Sequence, residues 1–362
     1  MGAIAGGHRP PEAGGPSSAK FDVLLLKFLL FVVLIAGASR AVAAEPADAA
    51  PIAALRLNQI QVVGTHNSYH VRPPAAMLKT AIAVRKDAKE WDYTRQPLDQ
   101  QLDQGIRSFE LDLHASDSGW QVMHVPIFDP GTTVATFRDA LQVIAAWSQK
   151  HPRHVPVSLL LELKEEGFQL NRRRFRQPTA QDIERLDEEI RDVLSDERLL
   201  VPDDVRGQHA TLFAAVAAGA WPTLADAAGQ VFVILHETGA NRDAYLAGHP
   251  ALEGRAMFVE SDPGAPHAAV LIRNNPTDPQ IAELARQGYL VRTRVDSQGD
   301  WDAARRDAGL ASGAHVLTTD YPPGEIAAER AFAFKELAPA RVNPVTGPEN
   351  VRGELLKEPL GE

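Results

Sequence analysis

Eight short β-rich runs, at 59–66, 107–114, 157–164, 230–236, 256–260, 268–273, 289–295 and 315–320, constrain the fold of this chain more than any other feature. Amphipathic stretches lie between them, at Thr136–Lys150, Thr179–Leu194, Pro279–Gln287 and Ala303–Leu310. Strand runs alternating with covering helices predict a mostly parallel sheet, and eight of them predict an α/β fold closed as a (β/α)8 TIM barrel. The intervals 67–106 and 165–229 are long for a single crossover, so the spacing also predicts long inserts after strands 1 and 3.

Several of these runs stop at polar residues. The first ends in Val62-Val63-Gly64-Thr65-His66-Asn67, the second in Glu110-Leu111-Asp112-Leu113-His114, and the third in Leu161-Glu162-Leu163-Lys164. Strand side chains alternate faces, so Glu110, Asp112 and His114 share one side, as do Glu162 and Lys164, then Arg292, Arg294 and Asp296, then Thr318 and Asp320. Active sites of such barrels lie at the C-terminal strand ends, where these groups would converge. A charged side chain inside a barrel costs several kcal/mol unless it is paired, metal-bound or hydrated.

Composition narrows the classes further. Residues 1–44 hold a Gly/Pro/Ser-rich lead, an apolar run from Phe28 to Ala38 and the small-residue stretch Ala41-Val42-Ala43-Ala44. The run is short for a membrane span, which needs about 20 residues, and it reads as a signal peptide cleaved before Glu45. A secreted or periplasmic protein is therefore expected, with an uncleaved N-terminal anchor as the alternative. Removing residues 1–44 takes away four basic and two acidic residues and moves the formal charge from −10 to −12. That balance argues against non-specific nucleic-acid binding and against long-range attraction to an anionic bilayer, a local basic patch aside. The chain has no cysteine, which excludes disulfides and thiolate catalysis. The expected organisation is a leader at 1–44, a catalytic barrel at 45–335 and an irregular, partly disordered tail at 336–362.

The motifs Gly64-Thr65-His66-Asn67-Ser68-Tyr69-His70, Trp91-Asp92-Tyr93, Leu98-Asp99-Gln100-Gln101-Leu102, Glu110-Leu111-Asp112, His124, Leu160-Leu161-Glu162-Leu163-Lys164, Val291-Arg292-Thr293-Arg294 and Thr318-Thr319-Asp320-Tyr321-Pro322 occur in this order. Together they resemble the bacterial calcium-dependent phosphatidylinositol-specific phospholipase C family, within the wider phospholipase C and glycerophosphodiesterase barrels. The resemblance runs from about residue 57 to about 325. It implies His66 and His124 as the catalytic pair, and Asn67, Glu110, Asp112 and Glu162 as ligands of Ca²⁺. It further implies cleavage of phosphatidylinositol to diacylglycerol and a 1,2-cyclic inositol phosphate, with onward hydrolysis left open.

The residue chemistry agrees with that implication. Cleaving a phosphodiester through an internal hydroxyl needs a base, an acid and positive charge against the phosphoryl oxygens. Two histidines can move both protons; the resemblance assigns His66 to the nucleophile or phosphate side and His124 to the leaving-group side, while Glu110 or Asp112 is a further acceptor. Amide and carboxylate oxygens suit calcium better than zinc. Lys164 is read as a phosphate contact, with balance of Glu162 as its rival role. Arg294, Asp296 and Asp320 read equally as headgroup contacts or as ion pairs closing the barrel, and His236 ends a strand at the same face. His70 is read as supporting the site. The run Arg172-Arg173-Arg174-Phe175-Arg176 reads as a solvated edge, or as transient contact with a membrane surface.

Two other readings compete. A glycerophosphodiester phosphodiesterase shares the barrel and the Glu-x-Asp pair, but that family favours Arg after its first histidine where this chain has Asn67. A non-catalytic barrel binding lipid headgroups or a partner would have no catalytic need to keep both histidines and four ligands.

Overall fold

A computed structural model describes residues 52–360 apart from 166–167, 171–172, 298 and 326–327. The expected leader at 1–44 and the side chains of Arg172, Arg173 and Arg174 lie outside what is described. Among the described residues no helix is long and apolar enough to cross a membrane.

Eight parallel strands form the barrel: β1 Ile60–Thr65, β2 Ile106–Ser116, β3 Val157–Lys164, β4 Val231–Leu235, β5 Met257–Val259, β6 Val270–Ile272, β7 Leu290–Arg294 and β8 Val316–Thr319. They pair in chain order, and β8 returns to β1 through Val62 opposite Val316. The weakest join is between β5 and β6, which meet through one bridge, Glu260 opposite Val270. Each expected strand is present within a few residues of its reading. Strands of a parallel barrel are covered on both faces, so Val-Phe-Val-Ile-Leu in β4 and Leu-Leu-Leu in β3 appear as unbroken apolar runs.

The covering helices begin where their caps dictate. Thr136 Oγ1 accepts from the Asp139 N–H, and the Asp139 carboxylate accepts from the Thr136 N–H in turn, which starts the helix Phe137–Lys150. Thr179 and Asp182 repeat the arrangement for Ala180–Val193. Such a cap contributes about 1 kcal/mol. Helix Phe137–Lys150 buries Phe137, Ala140, Leu141 and Ile144, the spacing of one helical face. The long connections after β1 and β3 carry Ala75–Val84 and Leu98–Asp103, and Ala180–Val193 with two shorter helices. Between β5 and β6 there is no helix among the described residues, so the strict alternation fails there.

The segment expected to be an irregular, partly disordered tail is different in the structure. Ala340–Val342 pairs antiparallel with Ile60–Val62, and Leu355–Leu356 pairs with it in turn. The reason lies in β1, whose pairing with β2 starts only at Val63. Its first half would otherwise leave backbone groups open inside the fold. Arg107 clamps Glu358 at 2.6 Å and fastens the end of the chain beneath the barrel.

Gly64 is required where β1 passes β2, because a Cβ there would stand 2.8 Å from Ser108 Cβ. Under the barrel, His315 is held neutral: its Nδ1 accepts from the Val291 N–H at 3.0 Å and its Nε2 donates to the Asn58 carbonyl at 2.9 Å. Burial pushes its pKa down to about 4. A histidine depressed below its unfolded value of about 6.5 stabilises fully above that value, and the contribution disappears as pH falls toward 4. His315 alone is expected to cost on the order of 2 kcal/mol between pH 7 and 4.5. Urea midpoints of the parent and His315→Asn across that range check this, since the variant should lose less on acidification.

Candidate active site at the barrel mouth

The first site residues are set by the way β1 ends. His66 donates its backbone N–H to the Thr319 carbonyl at 3.2 Å, after which Asn67 turns the chain with φ of 46°. Asparagine tolerates this left-handed conformation better than most residues. The turn is held by Ser68, whose N–H donates to the Glu110 carbonyl and whose Oγ accepts from the Glu110 N–H at 2.9 Å. Gln101 donates to the Ser68 carbonyl at 2.7 Å from below. The conformation of Asn67 and the start of the Glu110 strand face are therefore fixed together.

His66 meets Asp320 from β8's end. Its Nδ1 lies 2.8 Å from Asp320 Oδ1, and Arg294 donates to Asp320 Oδ2 at 2.7 Å. Behind them Arg95, almost fully buried, donates to the His66 and Asp320 carbonyls and pairs with Glu325 at 3.0 Å. Burial alone would raise Asp320, but His66, Arg294 and Arg95 outweigh it and hold the carboxyl well below its usual range. A ring nitrogen facing an ionised carboxylate carries the proton, which puts the lone pair of a neutral His66 on Nε2. That nitrogen is 3.6 Å from Glu110 Oε1.

His124 is arranged in the same manner from a different loop. Its Nδ1 lies 2.7 Å from Asp129 Oδ2, and its ring meets Trp91 edge-on at 5.4 Å. His66, Asn67, Tyr93, His124, Arg294 and Asp320 line one cavity of about 220 Å³, with Arg85, Trp91 and Ser297 on its walls. The two histidines face a common space.

The carboxylates lie along β2 and β3. Glu110 accepts from Arg292 at 2.5 Å, and although burial would raise it, Arg292 and His66 bring its pKa down to about 2. Asp112 is different. Lys164 Nζ stands 3.0 Å from its Oδ2, but neither carboxylate oxygen receives a well-aligned hydrogen bond, and burial pushes the group up to about 6. Asp112, with neither oxygen in an aligned hydrogen bond, faces Glu162 across β2 and β3 and shares its strand face with Glu110, while Asn67 turns the chain just past β1; together they offer a set of hard oxygen donors. The residues fit a calcium ion.

Other expected site residues are placed elsewhere. Lys164 bridges Asp112 and Glu162, the latter at 2.6 Å, so its charge balances carboxylates as the rival reading had it. Asp296 is fully buried and bonded to Arg306, Thr319 and the Asp320 N–H, which makes it the ion pair that closes the barrel rather than a headgroup contact. His236 pairs with Glu260 at 2.7 Å and does not line the cavity. Three residues escaped the sequence reading, Arg95, Asp129 and Glu260, whereas the sequence places Arg292 on the strand face of Arg294 without a role of its own.

Residues 55–120 and 114–344 match the family described as phosphoinositide phospholipase C, Ca²⁺-dependent. Among solved structures, the Ca²⁺-dependent phosphatidylinositol-specific phospholipase C from Streptomyces antibioticus is similar at 21% identity, over 74% of this chain and 95% of that one, with a TM-score of 0.53. The calcium-dependent phosphoinositol-specific phospholipase C from a Gram-negative Pseudomonas sp. is similar at 17% identity, over 81% and 97%, with a TM-score of 0.54. At these identities the structural likeness speaks to the fold. No curated protein sequence matches the chain. The family match covers most of the chain, from before β1 to past β8, and so this protein belongs to the calcium-dependent phosphoinositide phospholipases C, phosphodiesterases of the phosphatidylinositol-specific type.

Proposed function

We propose that the mouth cleaves phosphatidylinositol to diacylglycerol and inositol 1,2-cyclic phosphate, with His66 and His124 as the proton-transfer pair. The observation that supports this most is the shared cavity: each imidazole binds a buried carboxylate through Nδ1, and each keeps Nε2 for the substrate. The inositol 2-hydroxyl attacks phosphorus while its proton passes to His66 Nε2. The bond from phosphorus to the glycerol oxygen breaks, and that oxygen takes the proton of His124 Nε2. Arg294, at the cavity wall, faces the charge that develops on the phosphoryl oxygens. Asn67, Glu110, Asp112 and Glu162 would hold the calcium, which supplies positive charge against the phosphate and makes the attacking hydroxyl more acidic. Assay on phosphatidylinositol vesicles with calcium tests the reading. Diacylglycerol release is expected, whereas calcium binding with no turnover of phosphatidylinositol, glycerophosphoinositol or glycerophosphocholine would leave only a binding barrel.

The rim of the mouth supports transient contact with the bilayer that carries this substrate. Val84, Ile127 and Trp301 are large apolar residues left 72%, 48% and 40% exposed. They lie on connections that wall the cavity through Arg85, His124 and Ser297. Fully burying a large apolar side chain is worth about 1.5–3 kcal/mol, and the 40% of Trp301 left open scales this to an expected weakening of vesicle binding in Trp301→Ala of about three- to eightfold. Sedimentation with phosphatidylinositol vesicles measures it, and unchanged partitioning of Trp301→Ala and Val84→Ala together would remove the rim from the account.

A further inference from the structure

The loop His124–Asp129 is built to bring its two ends together. Val125 and Asp129 exchange backbone hydrogen bonds at 3.2 and 2.8 Å, and between them Ile127 adopts φ of 71°. A β-branched residue in the left-handed region costs about 1–3 kcal/mol and persists only where its surroundings hold it. Val125 and Phe128 supply the hold by packing on Leu78, Ala81, Ala88 and Trp91. The strained turn sets the Asp129 carboxylate directly behind the His124 ring.

Asp129 is fully buried and is gripped from a second side. His70 Nε2 lies 2.8 Å from each of its oxygens, while His70 Nδ1 is 3.1 Å from the Tyr93 carbonyl. His70 is also fully buried, its ring 4.1 Å from that of Tyr93. Burial would raise Asp129, but the bonds from His124 and His70 outweigh it and keep the carboxyl below its ordinary value. Neither His70 nor Asp129 reaches the cavity, so neither can touch the substrate.

We propose that Asp129, pinned by His70, is the positioning residue of His124. It fixes the ring plane and the Nδ1–H tautomer so that Nε2 carries its proton toward the leaving glycerol oxygen. The inference rests on the reading of His124 as proton donor to the leaving group. When that proton is given up, His124 becomes neutral with Nδ1–H still donated to Asp129, and Asp129 remains a carboxylate throughout. An asparagine at 129 keeps the shape, but its amide group can present N–H where a carboxylate cannot and so permits the wrong tautomer.

Leaving-group dependence separates this role from a general loss of structure, because a nitrophenolate departs without a proton and a glycerol alkoxide does not. Calcium-loaded Asp129→Asn, His70→Gln and His124→Ala are assayed on phosphatidylinositol and on nitrophenyl inositol phosphate. Asp129→Asn is expected to lower kcat on the lipid by at least ~10²-fold and on the nitrophenyl ester by less than ~10-fold. KM should stay within about twofold, and His70→Gln should show a smaller loss with the same selectivity. Histidine ¹⁵N NMR should show the Nδ1–H signal of His124 weakened in Asp129→Asn. Equal losses on both substrates, or an unchanged Asp129→Asn beside an inactive His124→Ala, would overturn the proposal. If His124→Ala itself retains lipid turnover, the role given to His124 fails and the inference falls with it. Should Asp129→Asn not fold, His70→Gln decides by the same comparison of substrates.

Discussion

Replacing His66 by alanine is expected to lower turnover of phosphatidylinositol by about 10²- to 10⁴-fold, the range a positioned acid or base supplies. The fold should survive. Asp320, which loses its imidazole partner, keeps Arg294 at 2.7 Å and the buried Arg95 at 3.3 Å, so no carboxylate is left uncompensated. The expected signature is therefore a collapse of kcat with unfolding midpoints within about 1 kcal/mol of the parent. An equally large loss of stability would mean that His66 is chiefly a structural partner of Asp320, and parent-level turnover would remove it from the chemistry. Steady-state kinetics and urea titration of the same preparation supply both readouts.

Calcium removal should have an effect of similar size. Loss of the charge facing a transferring phosphoryl group costs about 10²- to 10³-fold where single stabilising groups are deleted. The metal-free protein should remain folded, since Arg292 balances Glu110 and Lys164 balances Asp112 and Glu162. Asp112 is the sharpest probe of the ligand set because its two oxygens lie buried without aligned donors. Calcium at a hundred times its dissociation constant should stabilise the parent by about 2.7 kcal/mol. Asp112→Asn should lose most of that stabilisation. Thermal unfolding with and without calcium measures it independently of activity, and an Asp112→Asn response equal to the parent's would place calcium elsewhere.

The strands were legible because burial on both faces writes itself into sequence as apolar runs, as in Val231–Leu235 and Leu159–Leu161. Polar residues at their ends stood out against that background, which is why His66, Glu110, Asp112, Glu162 and Arg294 could be singled out before their neighbours were known. The rest depends on pairings that no periodicity encodes. Arg95 reaches Asp320 across 225 positions from a loop without pattern. Asp129 is only five residues from His124, but their contact arises from a left-handed isoleucine that sequence rules disfavour. Lys164 and Asp296 were read with two open roles each, and only their partners across the barrel separate those roles. The C-terminal segment misled because its Pro and Gly content signals irregular chain, whereas the unpaired first half of β1 recruits Ala340–Val342 into the sheet.

Phosphorus NMR of phosphatidylinositol vesicles incubated with the parent enzyme, with calcium and after its chelation, tests the central claim most directly. The expected result is the signal of a five-membered cyclic phosphodiester that appears with calcium and is absent after chelation. Cleavage unchanged by chelation, or glycerophosphoinositol as the phosphorus-containing product, would contradict it.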